Sequence, residues 1–272
     1  MVQCKMKLSV SNIAWDPGRA DEFLNVLYNE GCDGIELSPS MLWNEPLDAT
    51  GTDLNRLKGD LGRYGFAISS MHSLTYSRPD LVFFDSENTR NLLVHYILGL
   101  GKMAQALGIP VMVFGSAKSR TIGGRDRGRC IGILADTLGK IAAGMEPEGV
   151  RLLIEPLSRE YTDCINNADE GAGLVAMVGH PNFGLHIDLK SSFDEKEDYH
   201  EVWTKYGNII RHCHVANPGL KPPGPDCEEH YKAAEAMKAA GYAGYISLEI
   251  NRVNNTKELE KAIRFVRKVY ID

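Results

Sequence analysis

Four short segments in the second half of the chain each close a run of apolar residues with a side chain able to bind metal. They are Arg151-Leu-Leu-Ile-Glu155, Phe183-Gly-Leu-His-Ile-Asp188, Ile210-Arg-His-Cys-His214 and Tyr245-Ile-Ser-Leu-Glu249. Two Glu, one Asp and one His make an oxygen-rich set with a single nitrogen. Such a set suits a divalent ion of the Mn²⁺, Mg²⁺ or Co²⁺ kind better than a structural zinc. Three carboxylates buried together without a cation would repel one another and lose their hydration. The four residues are 33, 26 and 35 positions apart, each about the length of one strand–helix–strand repeat. Ligands with that spacing are distant in sequence and neighbours in space.

The elements that must position them alternate along the whole chain. Apolar runs at 5–11, 34–39, 66–71 and 110–114 precede the four segments above and read as strands. Between the strands lie segments with helical spacing at 21–29, 52–64, 86–107, 127–144, 167–178, 196–206 and 228–239, and a last one at 256–269. Gly31 and Gly108 stop two of these helices. Eight such units predict parallel strands joined by crossovers, and in one domain of 272 residues they predict a closed (β/α)8 TIM barrel. The alternative is a doubly wound sheet, but neither GxGxxG nor GxxxxGK[ST] occurs in the chain. In a barrel the strand C-termini converge on one mouth. Period-two alternation puts Leu153 with Glu155, His186 with Asp188, His212 with His214, and Ser247 with Glu249 on common faces.

Composition narrows the partners. The 36 acidic and 30 basic residues give a formal charge of -6, which argues against a nucleic-acid surface. Six scattered Cys without a CxxC pair read as free thiols of a reducing compartment. No apolar run reaches membrane-spanning length and the first residues lack a signal-peptide core, so a cytoplasmic protein without a membrane partner is expected.

The same residues carry a resemblance to the xylose isomerase-like barrels, a superfamily of sugar isomerases and epimerases whose ketose 3-epimerases form the nearest well-understood branch. It spans the chain and is strongest after residue 150. Glu155 in LLIEP, Asp188 in LHIDLK, His214 in CHVAN and Glu249 in ISLEI are similar to the family's four metal ligands. The resemblance implies that Glu155 and Glu249 are also the catalytic pair, one removing a proton from the sugar and the other delivering one to the opposite face. It also implies a homodimer or homotetramer. The shell around the metal differs from the epimerases. Ser191 stands where they carry a His, Asn217 where they carry a Glu, and the segment after Glu155 lacks their Asn.

A divalent ion bound to adjacent hydroxyl and carbonyl oxygens acidifies the carbon between them, and a carboxylate beside it completes the proton transfer through an enediolate. The leading reading is therefore a metal-dependent isomerase or epimerase of a small sugar-like substrate. The runner-up is a lyase on the same scaffold, either an inosose-type dehydratase or a C-glycoside-cleaving subunit. An endonuclease-IV-like phosphodiesterase needs further His and acidic ligands, and a scaffold with a vestigial site would not keep all four. Glu36, His72, Lys118, Arg120, His186, Lys190 and Asn217 are the candidates for binding substrate oxygens, with His212 behind the metal ligand His214. Lys118 and Arg120 would favour an anionic substrate. Trp15, Trp43, Tyr76 and Phe84 are candidates for an apolar wall.

Overall fold

The computed structural model describes residues 5–272. Cys4 lies outside the described residues, while Cys32, Cys130, Cys164, Cys213 and Cys227 are free thiols. The apolar runs form eight strands: β1 Lys7–Ser11, β2 Gly34–Leu37, β3 Ala67–Met71, β4 Val111–Phe114, β5 Arg151–Ile154, β6 Phe183–Asp188, β7 Ile210–Val215 and β8 Tyr245–Leu248. Each pairs in parallel with the next, and β8 pairs back onto β1, so the sheet closes into a barrel. The outer ring is α1 Ala20–Asn29, α2 Gly51–Gly62, α3 Glu87–Leu107, α4 Arg127–Met145, α5 Ala168–Val178, α6 Leu189–Glu195, α7 Tyr199–Tyr206, α8 Glu229–Ala239 and α9 Thr256–Val266. Among the described residues no helix is long and apolar enough to cross a membrane.

Helix boundaries follow from local chemistry. Thr50 and Asp53 form a reciprocal capping box at the start of α2, and the Ser86 hydroxyl accepts from Thr89 N–H at the start of α3. Gly108 ends α3 with φ of 75°, a left-handed turn that a side chain would strain. Two elements depart from the pattern of the sequence. The helix expected over 196–206 begins later, as α7 at Tyr199, and an additional helix, α6, precedes it because Asp188 caps α6 directly from the end of β6. The last helix stops at Val266 and continues as a π-helical turn over Arg267–Ile271.

Alternation along the strands separates two kinds of buried surface. Leu8, Val10, Ile35, Leu37, Leu152, Ile154, Leu185, Ile187, Cys213, Val215, Ile246 and Leu248 join the apolar core. The residues between them include Ser9, Ser11, Glu36, His186, His212, His214 and Ser247, all buried and polar. A barrel interior is ordinarily filled by branched aliphatic side chains. Here it holds hydroxyls, imidazoles and a carboxylate that bond to one another. The interior of this barrel is polar directly beneath its mouth.

Candidate active site

His214, next to last in β7, is the hub. Its Nδ1 lies 3.1 Å from Glu155 Oε1 and 3.1 Å from Glu249 Oε2. Its Nε2 lies 3.0 Å from Glu36 Oε1 on the other side of the ring. Glu155 follows the last residue of β5 and Glu249 follows the last of β8, so strands on both flanks of β7 bring their carboxylates to one nitrogen. One donor atom each from Glu155, His214 and Glu249 fall within 4.8 Å of one another.

The chemistry of this donor set fits a cation. If the Nε2 proton is given to Glu36, Nδ1 presents a lone pair to two carboxylate oxygens that also only accept. Three lone pairs then converge in a buried place and require a proton or a positive ion between them. The Glu36 contact is the carboxylate–histidine arrangement that fixes a metal-binding imidazole in one tautomer. Glu36 itself accepts from Ser70 Oγ at 2.7 Å and Ser247 Oγ at 2.8 Å, so its own orientation is fixed from below.

Electrostatics separates the two catalytic candidates. Burial pushes the Glu155 carboxyl up against the opposing pull of His214, with smaller help from the negative charges of Glu249 and Asp188. Burial pushes the Glu249 carboxyl up as well, but His214 and His72 hold it well below the usual range. Burial disfavours charge on His214, yet Glu249, Glu36 and Glu155 together raise its pKa well above the ordinary imidazole value. Two carboxylates whose pKa values are driven apart make a natural acid and base.

Asp188 stands somewhat apart from the other three. Its Oδ1 accepts from the backbone N–H of Lys190 at 3.1 Å, and its Oδ2 accepts from Ser191 Oγ at 2.8 Å and lies 3.3 Å from Lys190 Nζ. Ser191 thus turns onto Asp188. The Lys190 ammonium is buried and sits 4.3 Å from the centre of the Tyr161 ring.

Several residues expected to meet substrate lie elsewhere. Glu36 has no exposed surface and sits beneath His214. His72 is also buried: its Nδ1 is 3.1 Å from Glu249 Oε1 and its Nε2 is 2.7 Å from Ser11 Oγ, so it orients Glu249. His186 is enclosed below Glu155, 3.6 Å from Oε1, with both ring nitrogens unpartnered. His212 bonds Ser70 Oγ at 2.9 Å. Arg120 is fully buried, and its guanidinium donates to the carbonyls of Phe114, Glu155 and Cys164. It ties the loops after β4 and β5 together because a buried guanidinium needs acceptors and these loop carbonyls supply them. Lys118 is exposed. Asn217 bonds the carbonyl of Pro222 and the imidazole of His230, which shapes its own loop. Of the aromatic candidates, Trp15 is buried against Phe23, Tyr76 is 78% exposed, and Trp43 and Phe84 are half-buried.

Gly115, just past β4, is a site residue that the sequence did not single out. A Cβ there would fall on top of Glu155 Oε2 and lie 2.8 Å from its Cδ. The signal is a glycine directly after the apolar run Val-Met-Val-Phe114, but glycines after strands are common. Gly115→Ala is expected to displace the Glu155 carboxylate and lower kcat/KM at least about tenfold, with an unchanged far-ultraviolet circular dichroism spectrum. Wild-type kinetics in that variant would show that the carboxylate does not need its present place.

Comparison with known proteins agrees with the barrel fold. The family model described as xylose isomerase-like TIM barrel matches residues 24–269. Fructoselysine 3-epimerase of Escherichia coli O157:H7 is 24% identical over 124 residues, covering 44% of this chain and 45% of that protein. A probable ketose 3-epimerase of Synechocystis is 26% identical over 120 residues, covering 44% of this chain and 42% of that protein. The chain thus spans less than half the length of these curated relatives. The crystal structure of D-psicose 3-epimerase with D-tagatose from Clostridium cellulolyticum H10 superposes with a TM-score of 0.83 at 18% identity, covering 98% of this chain and 100% of that one. At that identity the superposition speaks for the fold.

Proposed function

Since the chain belongs to the xylose isomerase-like TIM barrel family, we propose that it is a divalent-metal-dependent isomerase or epimerase of a small sugar or sugar-derived substrate. The observation that carries this reading is the convergence of Glu155 and Glu249 on His214 Nδ1 at 3.1 Å each. Glu155, His214 and Glu249 would hold the ion, with Asp188 as the fourth ligand, and Mn²⁺ is the first choice over Co²⁺ and Mg²⁺. Bound there, the ion supplies Lewis acidity to neighbouring substrate oxygens and so lowers the pKa of the carbon between them.

The chain's own residues do the rest. Glu249, kept ionised beside His72 and His214, takes the proton from the substrate carbon. Glu155 delivers one from the other side. Return to the same carbon inverts it, and return to the neighbouring carbon isomerises. Arg120 and Gly115 fix the backbone and the space around Glu155, and the polar layer beneath fixes His214. Ser191 bonding Asp188 supports a substrate contact different from that of the ketose 3-epimerases, so the preferred sugar is expected to differ too.

The test is incubation in D₂O with a panel of ketoses, inososes and sugar acids, before and after dialysis against a chelator. Deuterium at a carbon next to a carbonyl, abolished by the chelator and restored by Mn²⁺, is the expected result. A product lighter by one water would replace this reading with the dehydratase. Exchange unaffected by chelation, or no exchange with any member of the panel, would end it.

A further inference from the structure

We propose that the N-terminal end of the barrel, opposite the mouth, carries a second binding site, for a small organic oxyanion such as a phosphate monoester or a carboxylate. A cavity of about 390 Å³ opens there, lined by Arg151, His180, Pro181, Phe183, Ile209 and Arg211 among others. Arg151 begins β5 and Glu155 follows its end, so the cavity lies roughly 13 Å along the strand from the candidate active site. It is a separate place.

Three independent features point to an anion. First, neither Arg151 nor Arg211 forms an ion pair with any described residue, and the Arg151 Nε is buried without a hydrogen-bond partner. The hydrogen bond of Arg211 goes from Nη1 to the carbonyl of Ile210 at 3.1 Å. Two guanidinium groups facing one cavity repel each other, and a shared oxyanion removes that repulsion while satisfying their donors. A carboxylate near the cavity wall, that of Glu146, lies 3.9 Å from His180 Nε2 and is largely exposed.

Second, the sheet is deformed at the residue concerned. Leu185 pairs with Ile210 and His186 with His212, so Arg211 is an extra residue of β7 at a bulge. A bulge redirects a side chain that regular pleating would aim elsewhere. Third, Gly184 of β6 clears the space. A Cβ there would lie 2.9 Å from Leu153 Cδ2 and 3.6 Å from Arg211 Cγ. Pro181, Phe183 and Ile209 supply apolar wall, and the volume suits a small metabolite better than a bare inorganic ion.

Isothermal titration with inorganic phosphate, glucose 6-phosphate and benzoate, each against sodium chloride at equal ionic strength, tests the site. Wild type, Arg211→Gln, Arg151→Gln and Glu155→Gln are compared, with thermal unfolding as the check that each variant folds. Saturable binding of at least one probe is expected in wild type and Glu155→Gln, weakened roughly ten- to a hundredfold in either arginine variant that folds. Which probe binds tells phosphate from carboxylate recognition. No saturable binding by any probe overturns the proposal, as does binding unchanged in Arg211→Gln. Binding lost in Glu155→Gln would place the anion at the mouth and overturn it equally.

Discussion

Glu249→Gln is expected to lower kcat/KM for the exchanged substrate by about 10²- to 10⁴-fold, the range for loss of a positioned base. The choice of Glu249 over Glu155 rests on their surroundings. Glu249 contacts two imidazoles, at 3.1 Å to His72 Nδ1 and 3.1 Å to His214 Nδ1, which stabilise its charged form. Its side chain is 14% exposed against 7% for Glu155, so it is the more open of the two toward the mouth. Gln keeps the volume and one carbonyl oxygen, so the polar interior need not rearrange. The companion Glu155→Gln separates the two roles. It should lose epimer formation while retaining part of the deuterium exchange, because abstraction by Glu249 survives and delivery to the opposite face does not. Mass spectrometry of the recovered sugar distinguishes the cases. Activity in Glu249→Gln within about threefold of wild type would remove it from the proton-transfer step altogether.

What could be read from the sequence was set by periodicity. Strands whose outer face is Leu, Ile, Val or Met alternate with helices of ordinary length, so the barrel and nearly all its boundaries follow from apolar spacing alone. The strand-ending Glu155, His214 and Glu249 were legible for the same reason: a polar residue closing an apolar run in a parallel barrel has one mouth to face. The supporting residues were not. Glu36 sits next to last in β2, as His214 does in β7, and only its pairing across the barrel with a residue 178 positions away shows that it orients His214. Arg120 in a polar loop carries the pattern of a substrate-binding cation. Its burial on three carbonyls depends on how two loops fold together, which no local pattern records. Asp188 fell between the two cases. Its place at the end of β6 was legible, but its capping of α6 and its bonds to Ser191 and Lys190 depend on a helix that starts without any intervening loop.

Removing Glu36 is expected to damage the fold and the proposed metal site by separable amounts. In Glu36→Ala the hydroxyls of Ser70 and Ser247 and the Nε2 of His214 all lose their acceptor inside the barrel. Breaking a buried charged contact by deleting one partner destabilises by about 3–5 kcal/mol, read as a lower urea midpoint at constant slope. Glu36→Gln is the finer probe. Its amide oxygen can still accept from Nε2–H and from Ser70 Oγ, and the Ser247 hydroxyl can rotate to accept from its NH₂, so the fold should be much less affected. The negative charge that makes His214 a stronger ligand is nonetheless gone. Metal affinity should then fall about ten- to a hundredfold, measured by titration of Mn²⁺ into the chelator-treated protein. If both variants kept the wild-type urea midpoint and Mn²⁺ affinity, the polar barrel interior would be filling space beneath the mouth without setting its chemistry. If Glu36→Gln lost affinity while Glu36→Ala also lost stability, one buried carboxylate would be holding the fold through its hydroxyl donors and the site through its histidine.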